Sequence, residues 1–207
     1  MSYSKNIISL EEKRNLARKY SGRVIYEVKS DIDGCCIKLF TDERLVKERW
    51  EENFYPISYN IRPHGYLYVV KDPEKPKNQL YYNPESRTAF LINFSYYGWI
   101  KSIALAVAGD LLEDEHETFS IHGACLNVKG KGVCLVGGSG SGKTTQTYGL
   151  LMDSRVKLVG DDWVYVKIFD EEVRAYCSEK QFYIRADLAK TWHGLEKLLE
   201  NAEFDKE

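Results

Sequence analysis

The chain has 207 residues, 43% hydrophobic and 29% charged, with a formal net charge of −2 at pH 7. That supports a packed core, as one large domain or a small one plus a nucleotide-binding one, and without any basic run it excludes an electrostatic nucleic-acid binder. The four histidines are scattered without metal-ligand spacing, and the five cysteines show no C-x-x-C pair or disulfide framework, which points to a reducing compartment.

No apolar stretch follows Met1, and the longest apolar run, Ile103 to Gly109, is too short to span a bilayer, so a cytoplasmic chain without a membrane partner is expected. A short charged helix is predicted over residues 11–20 and a strand over 23–28. Asp31-Ile32-Asp33-Gly34 then turns into Cys35 to Phe40 as a hairpin partner. Thr41 caps a helix running to about Phe54. Strands follow at residues 66–70, 79–82 and 88–92, the first two separated by a polar, Pro-containing loop from Lys71 to Asn78. Residues 1–95 thus read as a small α+β region whose tyrosines belong to core and edge packing, with no recognisable chemistry.

A second region, residues 96–207, opens with a helix from about Tyr97 to Leu112, where Ile100, Ile103, Ala104, Val107 and Leu111 recur at helical spacing. Phe119 to Val128 reads as one strand, Lys129 to Gly132 as a tight turn, and Gly132 to Val136 as its antiparallel partner.

That last strand enters Gly137-Gly138-Ser139-Gly140-Ser141-Gly142-Lys143-Thr144, which fits the phosphate-binding pattern G-x-x-x-x-G-K-[ST] at every fixed position, and a helix leaves it through Thr145. Glycines let successive N–H groups turn inward around a phosphate, and the helix N-terminus adds unpaired N–H groups and its positive dipole end. Lys143 would neutralise β/γ-phosphates, and the Thr144 hydroxyl would join the shell of a Mg²⁺ ion.

Val156 to Gly160 is a further apolar strand, expected to run parallel to the loop strand through a right-handed crossover and to end beside the loop at Asp161-Asp162. One carboxylate at such a place orients a metal ion or its waters, and the other accepts a proton from an attacking hydroxyl. Residues 162–169 and 173–177 then form an antiparallel meander, unlike a doubly wound GTPase sheet.

His122-Gly123-Ala124, the glycine loop ending in Lys143-Thr144-Thr145, and Leu158-Val159-Gly160-Asp161-Asp162 together resemble the HPr kinase/phosphorylase family, of the phosphoenolpyruvate carboxykinase-like superfamily. The resemblance covers roughly residues 119–190 and implies an α/β P-loop domain with a mixed sheet, preceded by the small N-terminal region. It implies an ATP- and Mg²⁺-dependent kinase in which Asp161 is the general base and Asp162 the metal-side carboxylate. His122 would lie near the γ-phosphate, and Arg185 close to the transferred group. The family has an acidic residue and Arg-Gly-Leu-Gly where this chain reads Tyr183-Ile184-Arg185-Ala186-Asp187. The implied acceptor is therefore another protein, a peptide or a small molecule rather than HPr. Two other readings stay open: an ATP-binding regulatory module or weak ATPase, and a carboxykinase-like lyase, for which no second-metal ligand cluster is visible. A helix over Leu188 to Leu199 with no closing strand leaves C-terminal truncation open, and the family's habit leaves homo-oligomerisation open.

Overall fold

Seven strands from the first 92 residues of the chain form one mixed sheet. The computed structural model describes residues 4–138 and 140–181. In chain order these strands are β1 (Ser4–Ile7), β2 (Tyr26–Ile32), β3 (Cys35–Thr41), β4 (Tyr55–Pro56), β5 (Gly65–Val70), β6 (Gln79–Asn83) and β7 (Thr88–Ile92). They lie side by side as β1-β6-β7-β5-β3-β2-β4. β7, β5 and β3 are mutually parallel, so their sequences are apolar on both faces and every residue of β7 is buried. The β2–β3 hairpin closes on Asp33 (φ 51°) and Gly34 (φ 83°), the two left-handed residues of a type I′ turn.

Helices cover both faces. α1 (Leu10–Ser21) begins with a capping box in which Ser9 accepts from the Glu12 N–H and Glu12 accepts from the Ser9 N–H at 2.8 Å. Its Leu16, Ala17 and Tyr20 pack with Ile8, Val70, Phe90 and Ile92. On the opposite face lie α2 (Arg44–Asn53), through Val46 and Trp50, and α3 (Tyr97–His116). α3 is the helix that opens the second region in the sequence reading. Its Ile100, Ala104, Leu105, Val107, Ala108, Leu111 and Leu112 are nevertheless buried in the same core as β2, β3, β5 and β7. A chain boundary at 95/96 therefore does not coincide with a boundary between cores.

Two three-stranded sheets follow. One has the order β13-β12-β8, from β8 (Thr118–Ile121), β12 (Val164–Ile168) and β13 (Val173–Tyr176), all antiparallel. The other has the order β10-β9-β11, from β9 (Gly123–Val128), β10 (Lys131–Val136) and β11 (Val156–Gly160), with α4 (Lys143–Leu151) between β10 and β11 in sequence. The single strand expected over 119–128 is broken at His122: Ile121 pairs with Val164 in one sheet, whereas Gly123 pairs with Val136 in the other. β12 ties this half to the first, because Tyr165 is fully buried in the large core and donates its hydroxyl to the Leu105 carbonyl at 2.8 Å. No helix among the described residues is long and apolar enough to cross a membrane.

Candidate functional site

β9 is antiparallel to both of its neighbours, so β10 and β11 run parallel to each other with β9 between them. They are not adjacent, as a simple crossover would make them. The consequence is geometric: the start of β9 and the ends of β10 and β11 meet at one edge of the sheet. His122 precedes β9, Gly137 follows β10, and Asp161 follows β11.

At this edge β10 enters the glycine loop and α4 leaves it, the strand–loop–helix context that the motif requires. Gly140 (φ 77°) and Gly142 (φ 90°), the N-cap of α4, hold left-handed backbone that a side chain would strain. No atom lies within 4 Å of where a Cβ would stand on Gly138, Gly140 or Gly142, so the loop surface is open there to an approaching group. Ser141 N–H donates back to the Gly138 carbonyl at 3.2 Å, and Gln146 N–H to that of Gly142 at 2.9 Å. The Lys143 ammonium reaches back to the carbonyls of Gly137 (2.7 Å) and Gly138 (3.1 Å), which keeps its charge at the loop. Thr144 is half-buried in the first turn of α4 and Thr145 is exposed. Ser139 and Arg185 lie outside the described residues.

β11 carries a bulge between Leu158 and Gly160, an irregularity that re-aims the residues following it. Asp161 is half-buried, and its Oδ1 accepts the Asp162 N–H at 3.0 Å. Burial first, and the neighbouring Asp162 charge second, hold its carboxyl above the ordinary aspartate range, with Lys101 and Lys143 opposing. Asp162 has a left-handed backbone (φ 69°) that turns its carboxylate outward, 3.8 Å from His122 Nε2. Both side chains are 66% exposed. The histidine thus faces Asp162, not Asp161.

Tyr148 and Lys101, to which the sequence reading gave no role, interact electrostatically with Asp161, and Glu179 and Asn53 extend the network from Lys101. Tyr148 of α4 is buried, and burial followed by the charges of Asp161 and Asp162 pushes its hydroxyl up. Lys101 of α3 forms a buried ion pair with Glu179 at 2.6 Å, the two side chains only 5% and 3% exposed. Asn53 at the end of α2 donates to the same Glu179 oxygen at 3.2 Å. Lys101 had a legible signal: it stands at helical spacing with Ala104, Leu105 and Ala108, on the stripe that buries. Glu179 had none, because its partners lie 78 and 126 residues away.

Among the described residues, no group of three His, Cys, Asp or Glu side chains is arranged to hold a metal ion by itself. The oxygens at the edge, the Thr144 hydroxyl with the Asp161 and Asp162 carboxylates, are hard donors of the kind that hold Mg²⁺ together with phosphate oxygens. A concavity of about 680 Å³ lies elsewhere, at the β12–β13 turn between Lys167 and Glu172. It contains none of the loop residues, and a loop that binds phosphate through backbone N–H groups needs no deep pocket. A scan against protein-family models matches no family, and a search of curated proteins gives no match.

Proposed function

We propose that the chain binds ATP and Mg²⁺ at the glycine loop and transfers the γ-phosphate to a hydroxyl, as an HPr kinase-like phosphotransferase of the cytoplasm. The observation that carries this reading is the convergence of the loop, Asp161-Asp162 and His122 on one sheet edge, around a strand antiparallel to both its neighbours. Residues 137–143 would cradle the phosphates with backbone N–H groups, and the Lys143 ammonium would balance their charge. Thr144 and Asp162 would hold Mg²⁺, which when bound neutralises phosphate charge. Asp161, held partly protonatable by its surroundings, would take the proton of the acceptor hydroxyl. His122 would fix the Asp162 carboxylate beside it. Arg185, from the resemblance, would stabilise charge on the transferred group. The acceptor is a protein, a peptide or a small molecule.

The openness of the edge favours a second reading. With His122 and Asp162 two-thirds exposed, a nucleotide-binding regulatory module or weak ATPase has the same parts. The experiment that separates them offers γ-labelled ATP and Mg²⁺ to the protein with a cell extract divided into protein and small-molecule fractions. A kinase labels one fraction, and Asp161→Asn abolishes the label. Tight ATP binding with slow phosphate release and no labelled acceptor would leave the regulatory module.

A further inference from the structure

Three sulfurs lie in a row across the sheet that carries the glycine loop. Cys134 of β10 is the register partner of Cys125 of β9, so the two side chains leave the same face. Opposed residues of antiparallel strands have Cα atoms about 4.5 or 5.5 Å apart, and both spacings fall within the roughly 4.4–6.8 Å that a disulfide spans. Burial first, with the neighbouring Cys134 thiol second, pushes Cys125 up to about 12. On its other side Cys125 partners Gly160 of β11. The space of a Gly160 side chain is taken by Cys177: a Cβ there would stand 2.7 Å from Cys177 Cβ and 2.8 Å from its Sγ. Cys125 is fully buried between a thiol that is exposed, Cys134, and one that is half-buried, Cys177.

We propose that Cys134 and Cys125 are a reversible disulfide site, closed by exchange with a low-molecular-weight disulfide such as glutathione disulfide. Cys134, the exposed member, loses its proton to water and attacks one glutathione sulfur. That S–S bond breaks, and one glutathione leaves as a thiolate and is protonated. Cys125, deprotonated in turn, attacks the Cys134 sulfur of the mixed disulfide and releases the second glutathione. Two protein thiols are oxidised and one disulfide is reduced to two thiols, so the exchange balances and excess reduced glutathione reverses it. The second attack is the slow one, because its nucleophile is buried, and it accelerates as pH rises.

The bond acts on the strand that feeds the loop. β10 is the outer strand of its sheet, with β9 as its paired neighbour, and Gly137 comes three residues after Cys134. Closing the bridge staples the base of the loop to β9 whether or not a nucleotide is the ligand.

The test treats the full chain with glutathione disulfide at pH 8, blocks free thiols and maps the linked peptides by mass. A Cys125–Cys134 link is expected, lost in Cys134→Ser, retained in Cys177→Ser, reversed by reduced glutathione, and formed at least tenfold more slowly in urea-unfolded chain. Hydrogen exchange of residues 131–136 should slow at least tenfold on closure. A Cys125–Cys177 link, a Cys134–glutathione adduct that never resolves, or a link formed as fast in urea would overturn the proposal. None of these readouts uses nucleotide, so failure of the kinase reading leaves the outcome intact.

Discussion

Asp161 sits where burial and a like charge work against its ionisation while two lysines favour it, and this balance makes it testable apart from the fold. Under the proposed reading, Asp161→Asn should lower phosphoryl transfer by about 10²–10⁴-fold and leave ATP affinity within about twofold, measured by single-turnover transfer and calorimetry. The sign of the stability effect is opposite. A carboxyl raised in the folded state stabilises below its unfolded pKa of about 3.9, and that contribution is lost as pH rises through the folded value. The neutral asparagine should therefore melt no lower than the parent at pH 7, separating lost chemistry from lost structure. Asp162→Asn removes the like charge, so the acid limb of the kcat/KM profile should move to lower pH. An unmoved limb would show that burial alone sets the Asp161 proton. At this scale the glycine loop and the Asp-Asp pair were legible, since each is a contiguous string with its own chemistry. Tyr148 was not, because a tyrosine on a short helix carries no mark of the carboxylates it will face.

Strands and turns were legible where their information is local. Asp33-Gly34 and Lys129-Gly130 each supply two left-handed residues, and both hairpins close there with flanking residues in register. β1 was not predicted: Ser4–Ile7 is exposed throughout and exists through parallel pairing with Gln79–Tyr82. The break at His122 was hidden because Ile121-His122-Gly123 continues the alternation of a strand, while the partner change on either side is decided by segments elsewhere in the chain. A tight contact between β11 and the segment after β13 gives a prediction. Gly160→Ala would drive a Cβ against the Cβ of Cys177, an atom with little freedom to yield, at a cost of about 1–3 kcal/mol in denaturant unfolding. Cys177→Gly in the same chain should recover most of that loss, because it empties the contested space. Additive losses would place the damage elsewhere.

Across the molecule, α3 and the segment after β13 are joined by a charge pair in a dry place, and Asn53 of α2 donates to the same glutamate. Lys101→Met leaves Glu179 buried and uncompensated, and should cost about 3–5 kcal/mol of unfolding free energy. Replacing both, as Lys101→Met with Glu179→Leu, should restore most of it, since no buried charge remains. If the double variant stayed as weak as the single one, the pair would be contributing more than charge neutralisation. The mixed α/β content was legible in outline. What escaped was the sharing of one core between the two halves, which depends on Tyr165 and the inner face of α3 meeting strands far earlier in the chain.

The type I′ hairpin that carries the glycine loop has a kinetic consequence. Its two strands meet across two residues, whereas β1 waits for β6 and β8 waits for β12, pairings that close long loops against chain entropy. Hairpins of this kind form in about 1–10 μs, and sheets dominated by distant pairings in milliseconds to seconds. Pulsed hydrogen exchange during refolding should therefore protect the amides of residues 123–136 before those of 4–7 and 164–168. The strand that presents the loop would then be complete while the carboxylates beside it are still being delivered, and under the proposed reading nucleotide added early in refolding would meet the cradle before the rest of the site.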